Sequence, residues 1–153
     1  MSTEPNASAA SSGAQILDGK ATAAAVRADV AEGVSALVSG GGRQPGLTVV
    51  LVGDDPASQV YVRSKDRAAT EAGFRVETVR LPAESSQAEV EEVVRGLNMA
   101  DAVDGILVQL PLPRALDSDA VTELIDPAKD VDGLTKDNIA RLVLGQDGLV
   151  PCT

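Results

Sequence analysis

Tyr61 is the chain's only tyrosine, and it stands four residues before Lys65 in Thr48-Val-Val-Leu-Val-Gly53-Asp-Asp-Pro56-Ala-Ser58-Gln-Val-Tyr61-Val-Arg-Ser-Lys65. Side chains four apart on a helix lie over one another, with Cβ atoms about 5–6 Å apart. If this helix follows a buried strand, a phenol and an ammonium group converge at the strand's carboxyl end, where open α/β sheets hold ligands. Such a pair can orient a flat ligand and move a proton. Few other groups could do so, because the sequence has no His, no Trp, one Phe and one Cys. The plain alternative is a surface pair, with Tyr61 half buried and Lys65 in water.

Tyr-x-x-x-Lys also occurs in short-chain dehydrogenases, which open with a Gly-rich turn after their first strand. Here Gly40-Gly-Gly42 precedes a strand, and no G-x-G-x-x-G exists anywhere. Gln109 is a second candidate. It closes the apolar run Leu107-Val-Gln109-Leu-Pro111-Leu-Pro113, where an amide would face either the crevice or solvent, and the prolines hold that rim extended. Asp130 and Asp132 lie in Lys129-Asp-Val-Asp-Gly133, which an Asp-Gly turn explains without a ligand. A calcium loop would need a Glu at its twelfth position, and counting from Asp130 that residue is Arg141, so no metal is expected. Arg63 and Arg67 flank Lys65 but point elsewhere, into solvent. Cys152 reads as structural or incidental.

The elements that must position these groups follow from periodicity. Asp18 to Val38 is helical and Ala-rich, with Val26, Val30, Val34, Leu37 and Val38 near one stripe. Leu47 to Val52 is a short continuous apolar run, typical of a strand covered on both faces. The Tyr61/Lys65 helix follows and stops at Gly73, and Phe74 to Leu81 alternates as a second strand. Ser86 and Glu89 are spaced as a capping box ahead of a stripe of Val90, Val93, Val94 and Leu97. Asp104 to Gln109 is a third strand, Asp119 to Ile125 a short helix, and Asp137 to Leu144 a last helix with Ile139, Leu142 and Val143 facing inward. Strands alternating with helices predict an α/β fold of three layers, a mostly parallel sheet flanked by helices.

Composition narrows the partners. At 153 residues the chain is one domain or slightly more, and its net charge of −10 argues against nucleic acid or an anionic membrane as the main partner. No apolar run approaches the ~18–20 residues that span a bilayer. The Ser- and Ala-rich start lacks the basic and apolar parts of a secretory signal. Residues 1–13 are expected to form a disordered tail, and the protein is expected to be cytoplasmic, which a single cysteine fits.

Four runs then occur in order: Val52-Gly-Asp-Asp-Pro-Ala-Ser58-x-x-Tyr61-x-x-x-Lys65, Gly105-Ile-Leu-Val-Gln109-Leu-Pro-Leu-Pro113, Pro127-x-Lys-Asp-Val-Asp132-Gly133 and Pro151-Cys-Thr153. Together they resemble the bifunctional methylenetetrahydrofolate dehydrogenase/methenyltetrahydrofolate cyclohydrolase family, over about Ala14 to Thr153. That resemblance implies oxidation of 5,10-methylenetetrahydrofolate with NADP (or NAD), then hydrolysis of the methenyl product to 10-formyltetrahydrofolate. It makes Lys65 the central catalytic group, with Tyr61 packing on the folate and Gln109 hydrogen-bonding near Lys65. Asp132 would bind the pterin-like ring through its amino and ring N–H groups, and Ser58, Val108, Leu110 and Pro111 would help line the pocket.

The chemistry is coherent. An ordinary lysine is almost wholly protonated at neutral pH. Desolvation and a neighbouring positive charge both favour the neutral amine, and the methenyl substrate is itself cationic. A neutral amine could activate water, and its ammonium form could protonate the departing nitrogen. A carboxylate at 132 could accept two coplanar N–H bonds from an aminopyrimidinone.

Family members continue beyond Pro-Cys-Thr into a Rossmann domain that binds the nicotinamide cofactor. The expected organisation is thus a folate-binding catalytic domain over 14–150 and the start of a linker at 151–153. No residue of this chain is expected to bind the cofactor, and the homodimer implied for the full-length enzyme would rest largely on the further domain. The chain alone is expected to have impaired activity and no hydride transfer. Two other readings stay open: a folate-binding regulatory module without turnover, and a different α/β enzyme with a Tyr/Lys site.

Overall fold

Three parallel strands in the order β2-β1-β3 form the centre of the computed structural model, which describes residues 17–150. The expected tail at 1–13, the linker start at 151–153 and Cys152 lie outside the described residues. In chain order the elements are α1 (Gly19–Ser39), β1 (Gly46–Val52), α2 (Pro56–Glu71), β2 (Arg75–Leu81), α3 (Gln87–Met99), β3 (Gly105–Val108), α4 (Ser118–Glu123) and α5 (Lys136–Leu144). β1 pairs along its whole length with β2, Gly46 opposite Arg75 through Val52 opposite Leu81, and its middle with β3. It is covered on both faces, as a strand apolar at every position from Val49 to Val52 requires.

Alternate side chains of the strands go to opposite layers. Val50, Val52, Ile106 and Val108 meet Val90 and Val94 of α3 and Val121 of α4. Val49, Leu51 and Leu107 meet Val62 of α2. The fold is the expected three-layer α/β arrangement. Its strand starts are braced at one corner, where Arg43 grips Asp104 with both guanidinium nitrogens and the Gly46 N–H donates to the same carboxylate at 2.7 Å.

Helix boundaries follow local chemistry. Asp18, Asp55, Ser86, Asp117 and Thr135 each accept a backbone N–H at a helix start, and the Ser86/Glu89 capping box forms in both directions. Lys129 closes the far end of α3, donating to the carbonyls of Leu97, Asn98 and Ala100.

The expected facing of α5 fails, and the α1 stripe is largely uncovered. Of the α1 stripe only Val34 is buried, while Val26, Val30, Leu37 and Val38 are exposed. On α5, Ile139 and Leu142 are 44% exposed and Val143 79%, and the buried residue is Asn138. A polar anchor sets the rotation of α5: the Asn138 amide donates to Pro127 O at 2.9 Å and to the Asp130 carboxylate at 3.0 Å. Shorter differences are at element ends. Phe74 precedes β2, and α4 stops at Glu123, ahead of Ile125.

Candidate functional site

The turn from β1 into α2 builds the first half of the site. Gly53 sits at φ +85°, a conformation costly for any residue with a Cβ, and its N–H donates to Leu81 O at 2.9 Å. Asp55 then caps α2, accepting the Ser58 N–H at 2.7 Å, and Pro56 occupies the first turn, where no N–H is needed. The Ser58 backbone N–H, helped by the Ser58 hydroxyl, holds the Asp55 carboxyl below its ordinary range. Ser58 itself is buried beneath this turn.

Two turns into α2, the pair is arranged opposite to the plain surface reading. Tyr61 is 64% exposed, its ring open to solvent, whereas Lys65 is half buried. The Lys65 ammonium points at the end of β3, with Nζ 3.4 Å from Gln109 Oε1. Gln109 is held ready for it. Its N–H extends the ladder to Val50 O at 2.9 Å, and its side-chain Nε2 donates to Leu110 O at 2.6 Å. A carbonyl can only accept, so Nε2 must face Leu110 O, which leaves Oε1 for an ammonium that can only donate. Leu110 and Pro111, joined by a cis peptide bond, form the exposed rim beyond it.

The second half comes from the turn before α5. Asp130 adds a one-residue parallel bridge to Ile106, extending the sheet past β3. Burial alone would push its carboxyl up. The Thr135 N–H at 2.8 Å, the Asn138 amide and further Thr135 and Leu134 donors outweigh this and hold it below the ordinary carboxylate range. Asp132, two residues on, is half exposed and shares with Val108, Ile106 and Asp130 the lining of a small cavity of ≈ 10 Å³. Thr122 and Leu134 line both that cavity and a neighbouring groove of ≈ 660 Å³, which also takes in Leu110 and Lys136. Neither lining includes Lys65 or Tyr61.

The structure therefore brings Lys65 to Gln109, and Val108 to Asp132, at the carboxyl end of the sheet. Ser58 lies underneath, and Tyr61, Leu110 and Pro111 at the surface. Two residues that matter to this geometry escaped the sequence reading. Asp130 passed for half of an Asp-Gly turn, although Thr135 and Asn138 at cap spacing could have signalled a buried acceptor. Lys129 carried no local signal, since its partners lie about thirty residues away. Among the described residues no three His, Cys, Asp or Glu side chains converge as for a metal ion. No described helix is long and apolar enough to cross a membrane.

A family profile described as "Tetrahydrofolate dehydrogenase/cyclohydrolase, catalytic domain" matches residues 17–132. The chain belongs to this family. Among its tetrahydrofolate dehydrogenase/cyclohydrolase relatives, the bifunctional protein FolD of Acidiphilium cryptum is 60% identical over 140 residues, covering 92% of this chain and 49% of the relative. The bifunctional protein FolD of Oleidesulfovibrio alaskensis is 57% identical over 138 residues, 90% of this chain and 48% of the relative. The FolD methylenetetrahydrofolate dehydrogenase/cyclohydrolase structure from Campylobacter jejuni superposes with a TM-score of 0.86 at 42% identity, over 89% of this chain and 48% of that one. The Trypanosoma brucei enzyme, complexed with NADP cofactor and an inhibitor, superposes with a TM-score of 0.85 at 39% identity, over 91% and 48%. The chain spans about half the length of these relatives.

Proposed function

We propose that this chain supplies the folate-binding, catalytic half of a methylenetetrahydrofolate dehydrogenase/methenyltetrahydrofolate cyclohydrolase. The observation that carries the reading is the Lys65–Gln109 contact at 3.4 Å, at the carboxyl end of a parallel sheet in a member of this family. Tyr61 offers an exposed ring on which a reduced pterin packs. Asp132 accepts its amino and ring N–H groups, as a planar carboxylate can. Val108, Leu110 and Pro111 line the approach, and Ser58 supports it from below.

In the hydrolytic step Lys65 takes a proton from the water that attacks the methenyl carbon. It returns that proton to the nitrogen that leaves as the ring opens. The hydroxyl formed by the attack loses its remaining proton to bulk water as its C–O bond becomes the formyl C=O, giving the 10-formyl product. Gln109 keeps the amine aimed, and its carbonyl favours a bound ammonium between the two transfers.

The dehydrogenase step needs a nicotinamide cofactor, and the described residues do not suit its diphosphate. The β1–α2 turn, where such a group would approach a helix N-terminus, presents Asp54 and Asp55, and Asp55 already occupies the cap. The cofactor, and hydride transfer with it, is assigned to polypeptide outside these residues, in keeping with relatives of twice this length. A homodimer is proposed for the full-length protein only, and a cytoplasmic location is kept as the simplest setting for a folate enzyme.

Isothermal titration with a tetrahydrofolate analogue tests the binding half of this reading. Asp132→Ala should weaken binding by roughly tenfold or more, the worth of a charge-assisted pair. Undiminished binding by Asp132→Ala would remove Asp132 from the site. Binding by the wild type without any methenyl hydrolysis, even at full length, would favour a folate-binding module.

A further inference from the structure

Lys65 and its neighbour Asp66 reach from α2 to opposite edges of the sheet. Val62 seats the helix on Val49, Leu51 and Leu107 in a small apolar contact. From there Lys65 extends to Gln109 at the end of β3, while Asp66 Oδ2 accepts the Thr78 hydroxyl of β2 at 2.8 Å. β2 and β3 flank β1, and Thr78 stands opposite Val49 in the ladder. Among the described residues these are the only side-chain hydrogen bonds from α2 to the sheet. Consecutive helix residues are turned by about 100°, so one rotation of α2 satisfies both contacts. Turning the helix disturbs both.

The other oxygen of the Asp66 carboxyl group, Oδ1, is buried without a partner among the described residues. A buried polar oxygen held that way is a poor choice for stability alone. We infer that Asp66 and Thr78 are positioning residues, a brace on the β2 side that fixes the rotation of α2 and so holds the Lys65 amine against Gln109. The catalytic meaning of the brace rests on the reading of Lys65 given above, while its geometric content does not.

The direct readout is the nuclear Overhauser contact between Lys65 and Gln109 side-chain protons in the folded chain. Thr78→Val should abolish it and Thr78→Ser should restore it. If it persists in Thr78→Val, the brace is refuted. Should Thr78→Val fail to fold, Asp66→Leu combined with Thr78→Val removes both polar partners and leaves no polar oxygen unpaired there. Loss of the contact there supports the brace, and its retention overturns it. In the full-length protein Thr78→Val should lower kcat for methenyl hydrolysis about tenfold with KM little changed, the signature of a misplaced group. Normal hydrolysis by Lys65→Met would instead overturn the reading of Lys65, with the Overhauser contact still deciding the brace.

Discussion

The two faces of the sheet are built differently. Among the described residues, eleven buried apolar residues form one cluster on the α3/α4 side and four form one on the α2 side. The thick face holds the strands in place, and the thin face carries Lys65. A helix seated by one buried valine depends more on polar ties for its exact position. Most of the buried apolar packing thus lies on one side of the three strands, and the Lys65–Gln109 contact lies at the carboxyl end on the other.

Truncations on either side measure that division most sharply. Ile106→Ala, in the thick cluster, should cost about 3–5 kcal/mol, and Leu107→Ala, its neighbour on the thin face, about 2–3 kcal/mol. Urea unfolding of the two variants compares them, and equal losses would mean that the faces contribute alike.

Asp130→Ala comes next. It leaves the Thr135 N–H and the Asn138 amide without their shared acceptor, at about 2–3 kcal/mol, and should loosen the turn that holds Asp132. The same carboxylate gives a pH dependence of known sign. Its folded pKa is depressed, so its contribution is complete above the unfolded value of about 3.9 and is lost as pH falls through the lower folded value. Asp104, held low chiefly by the Arg43 hydrogen bond, acts in the same direction. The urea midpoint should therefore be nearly flat from about pH 7 to 5 with respect to these groups and fall below about pH 4. Asp130→Asn should start lower and lose less on acidification.

Thr48→Val is the smallest change. The Thr48 hydroxyl is buried on the thick face without a hydrogen-bond partner among the described residues, so replacing it with a methyl should raise stability by about 0.5–1 kcal/mol. A measured loss would show that the hydroxyl has a partner after all.

How much of this was legible in the sequence depended on whether the cause was local. The three strands and the Ser86/Glu89 box follow from short runs of residues, and they were readable as such. Packing partners were not. The stripes on α1 and α5 show that a face is apolar, but a period does not say what it meets, and on α5 the rotation is set by Asn138 reaching back to Asp130. At the site, Tyr61 and Lys65 stood out by spacing on one helix, and Gln109 by being polar at the end of an apolar strand. The brace from Asp66 to Thr78 gave no such sign, because it joins two elements through ordinary surface-type residues.

The most direct test replaces one amine. Lys65→Met, in a polypeptide of the relatives' full length carrying this sequence, should slow hydrolysis of 5,10-methenyltetrahydrofolate by about a hundredfold or more, the usual contribution of a general base. Binding of a tetrahydrofolate analogue should be much less affected. A Lys65→Met protein that hydrolyses the methenyl compound at a near-normal rate would contradict the account.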